Sequence, residues 1–172
     1  DLKDIGDRGI QHRSQYHSQG SPCGPRQGSQ GDGRTGKGQS GGIETAAMII
    51  GIGTDIVSIP RIEKAVERFG DRFINKVFTD KEAIVCKAKK DQASHLAARF
   101  AAKEAVLKAL GTGISNGIGF KDVEVARVQG KRPEIILHGI GKKVAESLGV
   151  KDIHISISHE AGIALAFAVI EG

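Results

Sequence analysis

The alternation of apolar and polar residues predicts strands in the region that follows residue 47. The first strand covers residues 48–57, where Gly51, Gly53 and Asp55 share one face and isoleucines occupy much of the other. Further alternating stretches cover residues 122–128, 134–138, 153–158 and 163–170, and turns at residues 129–133 and 160–162 join them in pairs. These hairpins, lying among helices, predict an α+β fold with a small antiparallel-rich sheet packed with helices.

Capping and stop signals bound the predicted helices. Ser58 precedes Pro60 at the start of a helix over residues 59–69, and Gly70 ends it. Thr79 and Glu82 form a capping box for a second helix, which runs to about residue 90. A longer helix over residues 94–110 lies at the centre of the predicted fold, and a short helix covers residues 139–148.

The central helix presents a carboxylate and a lysine one turn apart. Glu104 and Lys108 fall in a stripe that otherwise holds Ala97 and Ala101, at the edge of the predicted core. Small neighbours leave room for a ligand, and such a pair can offer an oxygen ligand for a metal beside a cation for a phosphate. The alternative is an ordinary i,i+4 ion pair on a solvated face.

Asp55 is the second acidic candidate. Burial of a lone carboxylate in an apolar strand is unfavourable, so this side chain needs a partner. The two glycines before it on the same face allow another chain segment or a ligand to come close. Because Ser58 is the better cap for the following helix, we expect Asp55 to face a metal or a basic residue.

Residues 1–47 show no periodicity and differ in composition from the rest of the chain. They contain eleven of the twenty-four glycines, repeated Gln and Ser, and almost no large apolar residue after Ile10. Such a composition buries too little surface to offset its ordering entropy. We expect a disordered N-terminal extension, derived from a cloning scar or translated upstream sequence, a native start at Met48, and one domain over residues 48–172.

The net charge of +5 suits a polyanionic partner, which could be a nucleic acid, a phosphorylated cofactor or an acidic protein. With no Trp, one Tyr and six Phe, the chain has little material for base stacking, which disfavours nucleic acid. Cys23 and Cys86 lack disulfide or metal spacing and fit a reducing, cytoplasmic setting. No apolar run is long enough to span a bilayer, so we expect no membrane partner.

Three motifs in combination are highly specific. The chain resembles the holo-[acyl-carrier-protein] synthase family, the short, single-domain 4′-phosphopantetheinyl transferases. The resemblance covers essentially all of residues 48–172 and none of residues 1–47. The motifs are Gly51-Ile-Gly-Thr-Asp55-Ile-Val, Arg99-Phe-Ala-Ala-Lys103-Glu104-Ala-Val-Leu-Lys108-Ala followed by Gly111-Thr-Gly113, and Ser156-Ile-Ser158-His159.

The resemblance implies a magnesium-dependent transfer of the 4′-phosphopantetheine arm of coenzyme A to a serine hydroxyl of apo-acyl carrier protein, for fatty acid biosynthesis. Adenosine 3′,5′-bisphosphate is released. The family is homotrimeric, with coenzyme A sites between subunits. The family's metal-binding acids match Asp55 and Glu104, and its catalytic residues match Glu104 and Lys108. Its coenzyme A contacts match Arg99, Lys103, Lys108, Gly111, Ser158 and His159, and its carrier-protein contacts match Arg61, Arg68 and Arg72.

Several alternatives remain at this stage. The base that takes the serine proton could be Glu104 or a water molecule on the metal, and the metal could be Mg²⁺ or Mn²⁺. The chain could instead be a non-catalytic basic module that binds an acidic protein or nucleic acid through the Arg61 to Arg72 face. A third possibility is a transferase for carrier domains of peptide or polyketide synthases. The larger enzymes serving those carriers usually resemble two such domains in tandem, so this single domain favours the fatty-acid carrier.

Overall fold

The computed structural model describes residues 48–113, 117–126 and 132–172. The strands are β1 (Ile49–Ser58), β2 (Val123–Ala126), β3 (Glu134–Leu137), β4 (Asp152–Glu160) and β5 (Ile163–Glu171). The helices are α1 (Ile59–Phe69), α2 (Asp71–Val77), α3 (Asp80–Lys87), α4 (Gln92–Ala109) and α5 (Gly139–Ser147), with a 3-10 turn at Phe120–Asp122. The predicted extension over residues 1–47 lies outside the described residues, as does most of the turn predicted at residues 129–133.

The strands form two antiparallel sheets, which confirms the predicted α+β class. The larger sheet has the order β1-β5-β4, and β2 pairs with β3 in a separate two-stranded sheet. In the larger sheet Asp55 lies opposite Ala166, which in turn lies opposite Ile157. The hairpin between β4 and β5 turns at Ala161 and Gly162, both of which adopt positive φ.

Helix α4 packs directly against β1 because the facing residues are small. A Cβ at Gly51 or Gly53 would overlap the carbonyl oxygens of Ala109 and Ala105, respectively. Opposite the same helix, the face of β5 is an alanine row over Ala164–Ala168, whose inward residues are fully buried. The predicted close approach at the glycine pair is therefore made by another segment of the chain itself.

The central helix is more deeply buried than its sequence stripe suggests. We expected Glu104 to lie at the edge of the core, but thirteen of the eighteen residues of α4 are buried, Glu104 among them. The surrounding core comes from α1, α2, β2 and the sheet face. This helix is therefore the axis of the domain, and its polar residues are held in a low-polarity environment.

Two local predictions need correction. Helix α2 was not predicted, although its apolar residues Phe73, Ile74 and Val77 have helical spacing. Ser58 does occupy the N-cap position of α1, but its side chain makes no capping hydrogen bond. The N–H of Ile59 instead donates to the carbonyl oxygen of Gly162 at 2.8 Å, so the β4-β5 turn helps to satisfy the start of the helix.

The opposite face of the larger sheet is exposed, and the parts of it that β1 and β5 contribute are largely apolar. Its side chains alternate with those that face α4, as the period of a strand requires. Leu165 lies at its centre, between Ile56 of β1 and Ser158 of β4. The other large exposed residues on this face are Ile52, Ile163 and Phe167.

Candidate functional site

The site is built where α4 crosses β1 after the glycine pair. The Lys108 Nζ lies 2.8 Å from Oδ1 of Asp55 and also donates to the carbonyl oxygen of Thr54 at 3.0 Å. Of the two partners expected for Asp55, a metal or a basic residue, the structure shows a basic residue. Burial raises the pKa of Asp55, and the hydrogen bond and charge of Lys108 oppose that rise.

Glu104 is the second carboxylate of the site. Its Oε1 is buried and has no hydrogen-bond partner among the described residues. Desolvation raises its pKa to about 7, and the negative charge of Asp55 contributes to the rise. The positive charges of Lys108 and Arg61 act in the opposite direction. The negative charges of Asp55 and Glu104 thus repel each other in a largely buried site, and the nearby positive charges offset this repulsion only in part.

This arrangement fits a divalent cation. The unpartnered oxygen of Glu104 and the like charge of Asp55 both call for added positive charge. Carboxylate oxygens are the ligands that Mg²⁺ prefers, and Mg²⁺ usually binds one or two carboxylates together with phosphates and waters. The described residues contain no group of three or more His, Cys, Asp or Glu that could hold a metal. Asp55 and Glu104 are the two residues here whose oxygens could bind one.

Lys103 lies away from these groups. Its ammonium forms an ion pair with Glu82 Oε2 at 2.8 Å, and the side chain is 0% exposed. It also donates to the carbonyl oxygens of Phe120 and Val123. The structure therefore uses Lys103 inside the domain, whereas the resemblance matched it to a phosphate contact.

Arg99 is also buried, near the middle of the same helix. One guanidinium nitrogen donates to the carbonyl oxygen of His95 at 3.2 Å. Its Nε is buried and has no hydrogen-bond partner in the part of the chain that the structure describes. The charge of Arg99 and its hydrogen bond oppose the rise in the pKa of the Cys86 thiol that burial causes.

Gly111 has a positive φ just after α4, as a C-terminal stop requires. The N–H groups of Gly111 and Thr112 donate to the carbonyl oxygens of Lys108 and Leu107 at 3.0 and 3.3 Å. The N–H of Gly113 also reaches Leu107, at 3.2 Å. These N–H donors therefore close the end of the helix.

Ser158 and His159 project from opposite faces of β4. Ser158 belongs to the exposed sheet face, next to Leu165. His159 lies in the same row as Ala164 and Val57 on the face toward α4. Its charge acts on Asp91 and His95, at the start of that helix. Within one chain, therefore, the two residues serve different surfaces.

The three arginines matched to carrier-protein contacts are exposed on α1 and α2. The guanidinium of Arg68 lies 5.0 Å from the centre of the Phe69 ring. Arg61 is the arginine of this group that acts on the site, because its positive charge lowers the pKa of both Asp55 and Glu104. Sequence reasoning missed this effect, which depends on how α1 leaves the end of β1.

Comparison with known proteins agrees with this geometry. A family model described as the 4′-phosphopantetheinyl transferase superfamily matches residues 51–168. The holo-[acyl-carrier-protein] synthase of Koribacter versatilis is 44% identical over 124 residues, which cover 72% of this chain and 99% of the relative. The synthase of Alkalilimnicola ehrlichii is 47% identical over 125 residues, covering 72% of this chain and 98% of the relative.

Solved structures give the same result. The crystal structure of holo-[acyl-carrier-protein] synthase from Neisseria meningitidis matches with a TM-score of 0.68 and 37% identity, covering 73% of this chain and all of that one. The Helicobacter pylori synthase in complex with coenzyme A matches with a TM-score of 0.62 and 39% identity, covering 69% of this chain and 98% of that one. Together with the paired acids on α4 and β1, these matches show that the chain belongs to the 4′-phosphopantetheinyl transferase superfamily, as one of its holo-[acyl-carrier-protein] synthases.

Proposed function

We propose that the chain carries out its family's reaction at the cluster formed by Asp55, Glu104 and Lys108. The 4′-phosphopantetheine arm passes from coenzyme A to a serine hydroxyl of apo-acyl carrier protein, and adenosine 3′,5′-bisphosphate leaves. The observation that carries this proposal is the buried, unpartnered Oε1 of Glu104 beside a second carboxylate and a lysine. A structural ion pair alone would not need the second acid.

Asp55 and Glu104 would hold a magnesium ion in this proposal. When bound, magnesium supplies positive charge to the diphosphate oxygens of coenzyme A. Lys108 binds a phosphoryl oxygen and offsets the charge that develops there as the bond to phosphorus breaks. The proton of the serine hydroxyl would pass either to Glu104 or to a water molecule on the metal, because a bound cation lowers the pKa of both.

The basic surface of α1 and α2 suits docking of the acyl carrier protein. Arg61, Arg68 and Arg72 are exposed there, and Arg61 acts electrostatically on the acids of the site. A partner that is negatively charged at this surface would approach with its serine close to the reacting groups. We assign these arginines to recognition of the carrier protein.

We further propose that the protein is a homotrimer through the exposed face of the larger sheet. Contiguous apolar surface of this kind marks an interaction site. Ser158 lies within that face, so a neighbouring subunit would meet it, whereas His159 would remain on its own subunit's inner face. This supports coenzyme A sites formed between subunits. We also propose a cytoplasmic location; its support is cysteine usage, with Cys86 buried and free of a disulfide among the described residues.

Intact-mass spectrometry tests the proposed reaction. Apo-acyl carrier protein, coenzyme A, Mg²⁺ and this protein should give a phosphopantetheine-sized gain in mass. This gain in mass should disappear when the Glu104→Gln variant replaces the wild-type protein, and also when an excess of chelator is added. Full activity in Glu104→Gln would exclude this site, and no gain with the wild-type protein would redirect the test to carrier domains of peptide synthases.

A further inference from the structure

The strongest feature outside the site is a buried polar cluster around Lys103. In addition to Glu82, its ammonium contacts the carbonyl oxygens of Phe120 and Val123, on the segment that leads into β2. The Phe78 ring lies 5.8 Å away, so apolar groups border the cluster as well. Every hydrogen of this ammonium can therefore be directed at an acceptor in the interior.

Glu82 joins three elements through its two carboxylate oxygens. Oε2 accepts from the N–H of Thr79 at 2.8 Å and pairs with Lys103. Oε1 accepts from the N–H of Val125, in β2, at 3.0 Å. A capping-box glutamate needs only its own helix start, and it is normally near the surface. At 2% exposure, Glu82 does more than cap α3.

The side of α4 that faces β1 is held by one polar contact, from Lys108 to Asp55 and Thr54, and otherwise by small residues. There the contacts are between glycines of β1 and alanines of α4, which allow a close approach but interlock poorly. Large side chains that insert between neighbours would fix the rotation of a helix more firmly. On its other sides α4 packs through large buried side chains, among them Leu96, Phe100 and Leu107, and the anchor at Lys103 adds a second directional contact to this packing.

We infer that Glu82 is a positioning residue for Glu104, acting through Lys103. Lys103 and Glu104 are adjacent in α4, so their side chains leave the helix about 100° apart. When Lys103 is held by Glu82 and two carbonyl oxygens, the rotation of α4 is set and Glu104 faces Asp55. This inference rests on the proposed role of Glu104 in holding the cation.

In many proteins, residues that contact the ligands of a metal hold those ligands in the orientation that binding requires. Loss of such a supporting contact typically weakens metal binding or activity by about 10- to 100-fold. Glu82 is suited to a test because, as an acid, it has no plausible direct contact with coenzyme A phosphates. A variant of Lys103 alone would be ambiguous, since that residue matches a phosphate contact in the family.

The experiment measures Mn²⁺ binding to the metal-free protein by electron paramagnetic resonance, together with Tm, kcat and KM for coenzyme A. Glu82→Gln should weaken Mn²⁺ binding about tenfold and lower kcat by a similar factor, with KM changed less than about threefold. Glu124→Gln is the matched control. Glu124 is also buried, at 4% exposure, and its ion pairs are with Lys81 and His138. Its charge acts on Lys103 without a direct ion pair, so this variant removes a buried acid beside the cluster and keeps the contact between Glu82 and Lys103.

The double variant Glu82→Gln/Lys103→Met separates positioning from stability. Removing both charges of a buried pair avoids leaving one unpaired, so its Tm should exceed that of Glu82→Gln. Positioning predicts that its Mn²⁺ binding stays weak. If both variants bind Mn²⁺ as Glu124→Gln does, Glu82 is only structural and the inference is wrong. If Glu104→Gln also binds Mn²⁺ normally, it is the proposed site that fails.

Discussion

The ammonium of Lys108 lies 2.8 Å from Oδ1 of Asp55, across the contact between α4 and β1. Fifty-three residues separate the two along the chain. The lysine is anchored a second time by the carbonyl oxygen of Thr54, so its position is set by the strand as well as by its own helix. The ammonium of Lys108 thus pairs with the largely buried Asp55 on one side. On the other side it borders the open part of the site, and the lysine side chain remains 32% exposed.

Replacing Lys108 should therefore impair chemistry more than folding. We expect Lys108→Met to lower kcat by about 100-fold or more, as loss of a preorganised electrostatic group does elsewhere. The rate of mass gain on apo-acyl carrier protein measures this. Lys87→Met is the control, because it removes a lysine paired with an aspartate at 2.9 Å on the surface. Equal loss in both variants would contradict a role at the site.

The raised pKa of Glu104 makes stability depend on pH in the metal-free protein. Its ordinary value is 4.5 and its value in the folded protein is about 7. Between these values the folded state retains a proton that the unfolded state has released, so stability falls as pH rises from about 4.5 to about 7. The loss is complete above about pH 7, where the carboxylate is charged in both states.

Glu104→Gln should consequently stabilise the protein at high pH. With chelator present, we expect its free energy of unfolding to exceed that of wild type by up to about 3 kcal/mol at pH 8 and by much less at pH 5. Urea titrations at the two pH values measure this difference. Mg²⁺ at pH 8 should raise the Tm of wild type but not that of the variant. A difference that is the same at both pH values would show that the pKa of Glu104 is not raised.

The contact between α4 and β1 leaves no room for a methyl group at Gly53. A Cβ there would overlap the carbonyl oxygen of Ala105 and lie 2.7 Å from the Ala109 nitrogen. Because both are backbone atoms of a buried helix, Gly53→Ala should cost about 3 kcal/mol and displace Glu104 from Asp55. Chemical denaturation and the transfer assay measure the two effects. Gly119→Ala, whose Cβ would lie 3.8 Å from the nearest atom, should be nearly neutral.

A charge in the exposed sheet face should dissociate the proposed trimer. Leu165 is 40% exposed in the single chain and lies beside Ile56 and Ser158. We expect Leu165→Lys to run as a monomer in size-exclusion chromatography with light scattering, and to lose most activity if sites form between subunits. Ile84→Lys is the control, since Ile84 is 69% exposed on α3, away from the sheet. A trimeric Leu165→Lys protein would exclude this face.

Reversing a charge on α1 should weaken recognition of the carrier protein. We expect Arg68→Glu to raise KM for apo-acyl carrier protein by about tenfold, with kcat at saturation nearly unchanged, because like charges across an interface disfavour docking. Lys142→Glu, on α5, provides a surface charge reversal of the same size. A matching rise in KM for both variants would indicate a general effect of net charge.

Much of the fold follows from local patterns. The positions of β1, α1, α3, α4 and the two hairpins are confirmed within a few residues, because periodicity and capping are properties of neighbouring residues. Helix α2 was missed because the stop at Gly70 is followed by only a short apolar pattern. The depth of burial of α4 was underestimated because alanine is common on both buried and exposed helix faces. In this helix the alanines allow other elements to pack closely on every side.

In the candidate site too, local patterns predicted the residues, and tertiary packing determined their partners. The sequence by itself predicted Asp55, Glu104 and Lys108 as candidates, since an acid that follows two glycines and an acid one turn from a lysine are local signals. Only the tertiary structure decided that Lys108 pairs with Asp55 and that Lys103 turns inward to Glu82. Those partners are far apart in the chain, and which charges meet depends on how α4 is rotated against β1 and β2. That rotation is set by packing and burial of the whole domain, which no local pattern records.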